Sequence, residues 1–372
     1  MTFNKNINFL LLVPLCVLVI FCRIVNFFRI KKERNKIILL IDLGHFGDAL
    51  MLTPSIKYLR NHDLSKSYKI FCITTVLGKK ALDNNPDIDA VYTVSENWDH
   101  NYSNKNWLKN YKDIYSIINS INPEVAISCR STAYHIETIA MFNALVSRRI
   151  GFSSKGLKNT LTDTLHYDNR VHRANQNIDL IKLFTKDKEK DISTIPYFYP
   201  DVNNINKSKF DEIFNIDKKI VLINIFAEHK YIWPIDFYKE IIEFLISEQY
   251  YVCFVGLEKY REKIDSFLIN KNYHSVFNLS GETTIDDLSY ILKKSDLLIT
   301  IDTGVRHLAN CYTLKVISFR KTPNLDSEFG QYVNSEIVLN EKINREKYSN
   351  VKDFVNILEP KIVIDQIKKL EI

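Results

Sequence analysis

Two short motifs in the sequence combine residue types that could bind a phosphate and present a carboxylate. The first runs from Asp302 to His307, reads D-T-G-V-R-H and directly follows the apolar run 297–301. Such a turn at the start of a helix leaves backbone N–H groups free, and the helix dipole adds partial positive charge. His307 would lie within one helical turn of these groups, so the motif could bind a diphosphate. The alternative is an ordinary capped helix with a histidine in the core.

The second motif, G-H-F-G-D at residues 44–48, directly follows the apolar run Ile37–Leu43. Gly44 and Gly47 would allow the backbone to approach a ligand closely. Asp48 would lie near the first helical turn, at the mouth of a cleft. Alternatively, Asp48 only caps the helix. The spacing departs from G-x-G-x-x-G, so the motif gives no support for NAD binding.

A third candidate is Lys230, which precedes Trp233 and Pro234 in a loop after the apolar run 220–226. Pro234 suits the first position of a helix. Lys230 could reach a phosphate as a point charge. A loop lysine that is simply solvated is the alternative.

These residues need a scaffold that brings the ends of several strands together. From residue 36 onwards, strand-like apolar runs alternate with helix-like segments, which predicts α/β domains with parallel sheets. The polar stretches 186–191 and 196–209 predict a linker. We therefore predict two Rossmann-like domains, at 31–195 and 196–372, with ligands bound in a cleft at the carboxyl ends of the strands.

Residues 1–30 form a region of different composition. The segment from Phe9 to Cys22 has no charged residue, Arg23 interrupts it, and apolar residues continue to Phe28. One helix over 9–28 would be about 30 Å long, enough to cross a bilayer core. The basic residues that follow place the rest of the chain in the cytoplasm by the positive-inside rule. We predict an N-terminal membrane anchor or monotopic helix; a signal peptide and a helix docked on the globular domain are the alternatives.

The composition excludes several classes of protein. With 46% hydrophobic and 25% charged residues among 372, wholesale disorder is excluded. The net charge of +6 comes from basic residues interleaved with acidic ones, whereas a nucleic-acid binder usually shows a basic stripe. None of the six cysteines forms a C-x-x-C pair, and no Cys/His cluster has zinc-ligand spacing. We predict a reducing compartment, no structural metal and no nucleic-acid partner.

Taken together and in order, the motifs resemble those of glycosyltransferase family 9, the ADP-heptose:lipopolysaccharide heptosyltransferases. The family begins with a strand, G-x-x-G-D and a nearby proline, as at 37–48 and Pro54. Its W-P-x-x-x-(aromatic) start of a helix resembles the segment from Trp233 onwards. Its L-x-G-x-(ST)-x-x-(DE)-L stretch resembles 279–288, and D-(ST)-G-x-x-H-x-A fits 302–309 in full. The resemblance covers roughly residues 36–319.

The resemblance implies a GT-B fold, with an N-terminal acceptor domain and a C-terminal donor domain facing a central cleft. It implies Asp48 as the general base of an inverting glycosyl transfer. The residues implied to bind the nucleotide-sugar donor are Lys230, Gly281, Asp302, Thr303, Gly304 and His307. Lys230 stands three residues before the tryptophan rather than the family's two, and Arg306 occupies a position usually apolar or small, where it could share phosphate binding. Gly44 and Gly47 form the glycine loop on the acceptor side.

Neither a metal nor another cofactor is expected, because fixed N–H dipoles, Lys230 and His307 could stabilise the leaving diphosphate. The implied reaction moves heptose from ADP-heptose to a lipopolysaccharide-core or related lipid-linked glycan, at the cytoplasmic face of the bacterial inner membrane. A hexose donor within the same family is the first alternative. A nucleotide-binding epimerase or oxidoreductase, and a non-catalytic scaffold that keeps the fold, are alternatives from other classes.

Overall fold

The structure, a computed structural model, is described for a defined part of the chain. The described residues are 33–94, 107–130, 136–153, 158–189, 191–214, 217–226, 233–268, 273–312, 314–319, 328–330, 332, 336–339 and 358–370. The predicted anchor at 1–30 lies outside these residues. Within the described ranges, no helix is both long enough and apolar enough to span a membrane.

The first half of the chain forms a six-stranded parallel sheet with helices between its strands. Its strands are β1 (Asn35–Asp42), β2 (Lys69–Thr74), β3 (Ala90–Thr93), β4 (Pro123–Ser128), β5 (Arg148–Phe152) and β6 (Asp163–Leu165). Its helices are α1 (Phe46–Asn61), α2 (Val76–Leu82), α3 (Trp107–Ile121), α4 (Ile136–Asn143) and α5 (Arg173–Thr185).

The second half repeats this architecture. Its strands are β7 (Ile220–Asn224), β8 (Tyr251–Phe254), β9 (Val276–Asn278), β10 (Leu297–Ile301), β11 (Lys315–Phe319) and β12 (Glu336–Val338). Its helices are α6 (Lys207–Phe214), α7 (Ile235–Ser247), α8 (Arg261–Leu268), α9 (Ile285–Lys294), α10 (Gly304–Ala309) and α11 (Pro360–Lys369). The prediction of two Rossmann-like α/β domains is confirmed.

The two sheets share one strand order. The first runs β3-β2-β1-β4-β5-β6, and the second, read from its other edge, runs β9-β8-β7-β10-β11-β12. In each sheet the order reverses between the first and fourth strands, which are β1 and β4 in one and β7 and β10 in the other. Ligands of such sheets bind in the crevice at this switch point, beyond the carboxyl ends of the strands.

Burial on both faces explains why the central strands are continuous apolar runs. Ile38, Leu39, Leu40 and Ile41 of β1 are all fully buried, as expected for a parallel strand covered by helices on each side. One cluster of buried apolar residues contains members from both domains. It includes Phe198, which lies in the connecting segment between α5 and α6. The domains therefore share packed apolar surface.

The sequence pattern predicts the strongly apolar elements with correct bounds and misses several less apolar ones. The apolar runs 297–301 and 315–319 predict two strands and the helical period of 285–294 predicts a helix, and these are β10, β11 and α9 with the same bounds. The sequence pattern does not predict β6, β12 or the helices α2, α6 and α8. The two strands have only three residues each, too short to show a period.

The connecting segment is docked on α9 rather than loose. The backbone N–H of Asp201 donates to Asp286 Oδ1 at 3.0 Å, and that of Asn206 donates to Asp287 Oδ1 at 2.9 Å. Asp287 also completes a capping box at the start of the helix, because its Oδ2 accepts from the backbone N–H of Thr284 at 3.0 Å and its own N–H donates to Thr284 Oγ1 at 3.1 Å. These adjacent carboxylates therefore serve the fold.

Replacing Asp287 by alanine should remove the carboxylate half of the capping box and one attachment of the connecting segment together. We expect the Asp287→Ala variant to lose about 1–3 kcal/mol in the free energy of unfolding. Urea denaturation followed by circular dichroism measures this. The matched control is Asp83→Ala, whose exposed carboxylate should contribute no more than about 0.5 kcal/mol. Equal losses in the two variants would contradict the assignment.

Candidate active site

Asp48 lies in the first turn of α1, directly beyond the end of β1. Its Oδ2 accepts a hydrogen bond from the backbone N–H of His45 at 2.8 Å, and its side chain is half-buried. The carboxylate therefore does cap its own helix, as one of the two sequence interpretations predicts. This cap uses one oxygen and holds the carboxylate at the switch point of the first sheet, so the two interpretations are compatible.

Gly44 makes room for this arrangement. A Cβ atom built at residue 44 would overlap Cβ and the carboxylate of Asp48. The backbone of Gly44 is held on both sides, because its N–H donates to Asp42 Oδ1 at 2.8 Å and its carbonyl accepts from Thr75 Oγ1 at 2.7 Å. A side chain at this position would displace the candidate base.

The D-T-G turn occupies the corresponding position in the second sheet. The strand β10 ends at Ile301, and α10 begins at Gly304 with Thr303 as its extended N-cap residue. Asn224, at the end of β7, lies beside the turn, with its Oδ1 3.3 Å from Thr303 Oγ1. The predicted motif therefore lies at the switch point between β7 and β10.

The two motifs meet across the cleft. A Cβ atom built at Gly47 would lie 2.5 Å from Cδ2 and 3.1 Å from Nε2 of His307. A Cβ atom built at Gly304 would lie 3.3 Å from Cδ1 of Phe46. The structure thus brings the turn that carries Asp48 against the turn that carries His307, and Gly47 permits the close approach.

His307 is buried and held by two neighbours. Its Nδ1 lies 2.7 Å from the hydroxyl of Tyr332, and its Nε2 lies 4.0 Å from Asp302 Oδ1. The carboxylate of Asp302 remains 43% exposed, so Nε2 lies beside a group that solvent can reach. Tyr332 has no motif around it that could have identified it from the sequence.

The structure corrects the predicted role of Arg306 as a phosphate contact. Its side chain is fully buried, with Nε and Nη2 bonded to the carboxylate of Glu336 and Nη1 donating to Asp302 Oδ1 at 3.1 Å. Burial alone would lower the pKa of Arg306, but the Glu336 carboxylate more than offsets this and raises the pKa above its ordinary value. Arg306 is therefore not available as the predicted phosphate contact, because its guanidinium is enclosed beneath the D-T-G turn and bonded to Glu336 and Asp302.

Gly281 lies at the end of β9, on the same edge of the second sheet. Its φ of 77° is in the left-handed region, and a Cβ atom there would overlap the side chain and Cα of Glu258. Its N–H donates to the carbonyl of Gly256 at 2.9 Å. Ser280 lies beside it, with a fully buried hydroxyl oxygen that has no hydrogen-bond partner among the described residues. Gly281 thus lines the edge on which the D-T-G turn also lies.

The described residues include neither Lys230 nor a cluster of potential metal ligands. Lys230 lies outside the described residues, so its role stays a prediction. Within the described ranges, no group of three or more His, Cys, Asp or Glu side chains is placed to hold a metal ion.

A buried carboxylate that the motif analysis overlooks lies behind Asp48. Asp42, the last residue of β1, is 1% exposed, and its Oδ2 has no hydrogen-bond partner among the described residues. Burial raises the pKa of Asp42 from 3.8 to about 6, with a further contribution from the nearby charge of Asp48; Arg173 and Arg130 oppose the shift. Its position at the carboxyl end of a central strand is the signal that could have identified it.

Comparison with known proteins identifies the class of enzyme. The profile of glycosyltransferase family 9 (heptosyltransferase) matches residues 144–353. The match covers more than half of the chain, which therefore belongs to glycosyltransferase family 9. This decides against an epimerase, an oxidoreductase or a non-catalytic scaffold. No match is found among curated proteins.

Solved structures of the same architecture support the fold. A family 9 glycosyl transferase from Veillonella parvula is 16% identical, with a TM-score of 0.71, over 91% of this chain and 97% of that chain. E. coli ADP-heptose lps heptosyltransferase II is 17% identical, with a TM-score of 0.66, over 90% and 98%. E. coli heptosyltransferase WaaC with ADP is 12% identical, with a TM-score of 0.67, over 90% and 99%. At these identities the likeness shows a shared fold, the GT-B arrangement of two Rossmann-like domains.

The raised pKa of Asp42 predicts how stability depends on pH. Because the folded state binds the carboxyl proton of Asp42 more tightly than the unfolded chain does, protonated Asp42 stabilises the fold. This stabilisation is fully present below pH 3.8 and is lost as pH rises through about 6. The loss amounts to about 3 kcal/mol. We expect Asp42→Asn to be more stable than the wild type at pH 7.5, with the gain shrinking towards pH 4. Urea unfolding across this range measures it, with Asp83→Asn as the exposed control. A gain independent of pH would contradict the prediction.

The buried ion pair beneath the D-T-G turn predicts a large loss of stability. In a Glu336→Ala variant, Arg306 would keep a buried charge without its bidentate partner, so the free energy of unfolding should fall by about 3–5 kcal/mol. The double variant Arg306→Met with Glu336→Leu should recover part of this loss, because neither charge is then buried. Chemical denaturation measures both, and Glu262→Ala, on an exposed helical surface, is the control. A Glu336→Ala variant as stable as this control would contradict the prediction.

Proposed function

We propose that the enzyme is an inverting, metal-independent glycosyltransferase that moves heptose from ADP-heptose to a lipopolysaccharide-core or related lipid-linked glycan. The contact between the two turns carries this proposal. In this proposal, the carboxylate of one domain and the anion-binding groups of the other lie on the two sides of one cleft. An acceptor hydroxyl and a nucleotide sugar bound to separate domains would meet there.

Asp48 acts as the general base. A sugar hydroxyl is a poor nucleophile at neutral pH, and a carboxylate within hydrogen-bond reach removes its proton as the new bond forms. The acceptor oxygen attacks the anomeric carbon from the face opposite the diphosphate, so the bond to the phosphate oxygen breaks and the configuration inverts. The proton passes to Asp48, and the nucleoside diphosphate leaves with the bonding electron pair.

The D-T-G turn stabilises the departing diphosphate. In this proposal, backbone N–H groups of the turn and the imidazole of His307 donate to the diphosphate. Donors already fixed in place stabilise developing negative charge without reorganisation, and here they take the role that a metal ion has in other transferases. Lys230 adds a second phosphate contact in this proposal. Closure of the cleft excludes water, which would otherwise hydrolyse the donor.

The acceptor is proposed to be linked to lipid, with the enzyme at the cytoplasmic face of the bacterial inner membrane. The uncharged segment Phe9–Cys22 and the basic residues that follow it support an N-terminal anchor or a peripheral helix among anionic headgroups. Solved structures of the same fold support the proposed sugar donor, since one of them is E. coli heptosyltransferase WaaC with ADP-2-deoxy-2-fluoro heptose. A hexose donor would use the same phosphate site and remains the second candidate.

A donor screen tests this proposal. The full chain is incubated with ADP-, UDP-, GDP- and CMP-sugars and a lipid-A-type acceptor, and nucleotide release is followed with and without EDTA. We expect release from ADP-heptose that depends on the acceptor and is insensitive to EDTA. Release from a hexose donor instead would favour the second candidate. Acceptor-dependent release abolished by EDTA would contradict metal independence.

The Asp48→Asn variant tests the base directly. The amide keeps an oxygen that can accept from the N–H of His45, so the helix cap and the fold should persist. Loss of the proton acceptor should lower kcat by about 100- to 10,000-fold. Initial rates of nucleotide release measure this, with Asp83→Asn as the matched carboxylate-to-amide control. A folded Asp48→Asn variant with wild-type turnover would show that the base lies elsewhere.

A further inference from the structure

Tyr332 is placed to control which nitrogen of His307 carries a proton. The tyrosine is 3% exposed, and its hydroxyl lies 2.7 Å from Nδ1 of His307. The other ring nitrogen, Nε2, lies 4.0 Å from Oδ1 of Asp302, whose carboxylate is 43% exposed. The hydroxyl of Tyr332 therefore contacts the nitrogen of the imidazole that is not beside this partly exposed carboxylate.

The chemistry of a buried phenol makes Tyr332 able to donate this hydrogen bond at neutral pH. Burial raises the pKa of Tyr332 well above its ordinary value, so the phenol keeps its proton at neutral pH. In a neutral imidazole, one nitrogen donates and the other accepts. If the phenol donates to Nδ1, the proton of the neutral ring must lie on Nε2. If the ring becomes protonated, Nδ1 can donate to the same phenol oxygen, so the contact survives in both charge states.

Tyr332 is itself held by groups from both domains. Its backbone N–H donates to Glu336 Oε2 at 3.2 Å, and the guanidinium of Arg306 lies 5.6 Å from the centre of its ring. The ring of His172, at the start of α5 in the first domain, packs edge-on at 4.9 Å between centroids. The phenol is thus fixed by the buried ion pair on one side and by the neighbouring domain on another.

We propose that Tyr332 is a positioning residue, whose hydroxyl donates to Nδ1 of His307 and holds the imidazole proton on Nε2, aimed at the leaving diphosphate. The catalytic part of this inference rests on the proposed function; the hydrogen bond itself does not. Tyr332 would touch neither donor nor acceptor. Its contribution would be to present a donor rather than a lone pair where negative charge develops.

Nitrogen NMR tests the hydrogen bond without any turnover. The full chain is labelled with 15N-histidine, and long-range 1H–15N spectra are recorded above the pH at which the imidazoles titrate. Comparison with His307→Gln assigns His307 among the nine histidines. We expect Nε2 to carry the proton and Nδ1 to show the shift of a hydrogen-bonded acceptor. In Tyr332→Phe, Nδ1 should move to the position of an acceptor without a hydrogen bond.

The matched control is Tyr290→Phe, which removes a hydroxyl bonded to Asp211 elsewhere in the same domain. It should leave the His307 resonances unchanged. A proton on Nδ1 in the wild type would overturn the inference. This measurement needs only the wild type, so it can be made even if Tyr332→Phe fails to fold. Unchanged His307 shifts in a folded Tyr332→Phe variant would also overturn it.

Kinetics separate a positioning role from a merely structural one. Loss of one neutral hydrogen bond should lower kcat of Tyr332→Phe by about three- to tenfold, with the donor KM changed less. Tyr290→Phe should keep the kcat of the wild type. If the NMR shifts move and kcat does not, the positioning role fails while the transferase proposal stands. If the wild type transfers no sugar, the proposed function fails and the NMR result still decides the hydrogen bond.

Discussion

The close approach of two helix-initiating turns is the constraint on which the site depends. Each turn lies at the switch point of its own sheet, since both domains share one strand order. Contact between Gly47 and His307 then requires that residue 47 has no Cβ, while Phe46 packs over Gly304. Asp48 and the D-T-G turn therefore lie together as a direct result of how α1 packs against α10.

Buried charge supports this geometry at a cost in stability. The Arg306–Glu336 pair lies directly beneath the D-T-G turn, and its polar atoms are bonded to Asp302, Tyr332 and the carbonyl of Gly330. Asp42 plays a comparable part behind the other turn, because one of its oxygens holds the N–H of Gly44. Ionising Asp42 in the interior is unfavourable, as its raised pKa shows. In both domains, a carboxylate removed from water fixes the turn that carries the candidate chemistry.

The sequence predicts the α/β class and the positions of both turns because long apolar runs and glycine spacing are local signals. It does not predict that Arg306 is internal, because the partner Glu336 stands 30 residues away on a three-residue strand. The sequence does not indicate a role for Tyr332 for the same reason, since only the folded chain brings it to His307. The role of Gly47 also depends on a tertiary contact. Local patterns thus locate the catalytic candidates, and long-range packing decides which neighbours support them.

The contacts around Tyr332 connect the state of His307 to the arrangement of the domains. At the start of α5, the N–H of Arg173 donates to the carbonyl of Glu328 at 2.8 Å, and the ring of His172 packs on Tyr332. Both contacts join the first domain to the segment between β11 and β12 of the second. Any separation of the domains must break them and remove one wall from the phenol that contacts His307. His307 therefore has its contact with an enclosed Tyr332 only when the two domains are together, and in the proposed mechanism Asp48 would meet an acceptor hydroxyl in that same arrangement.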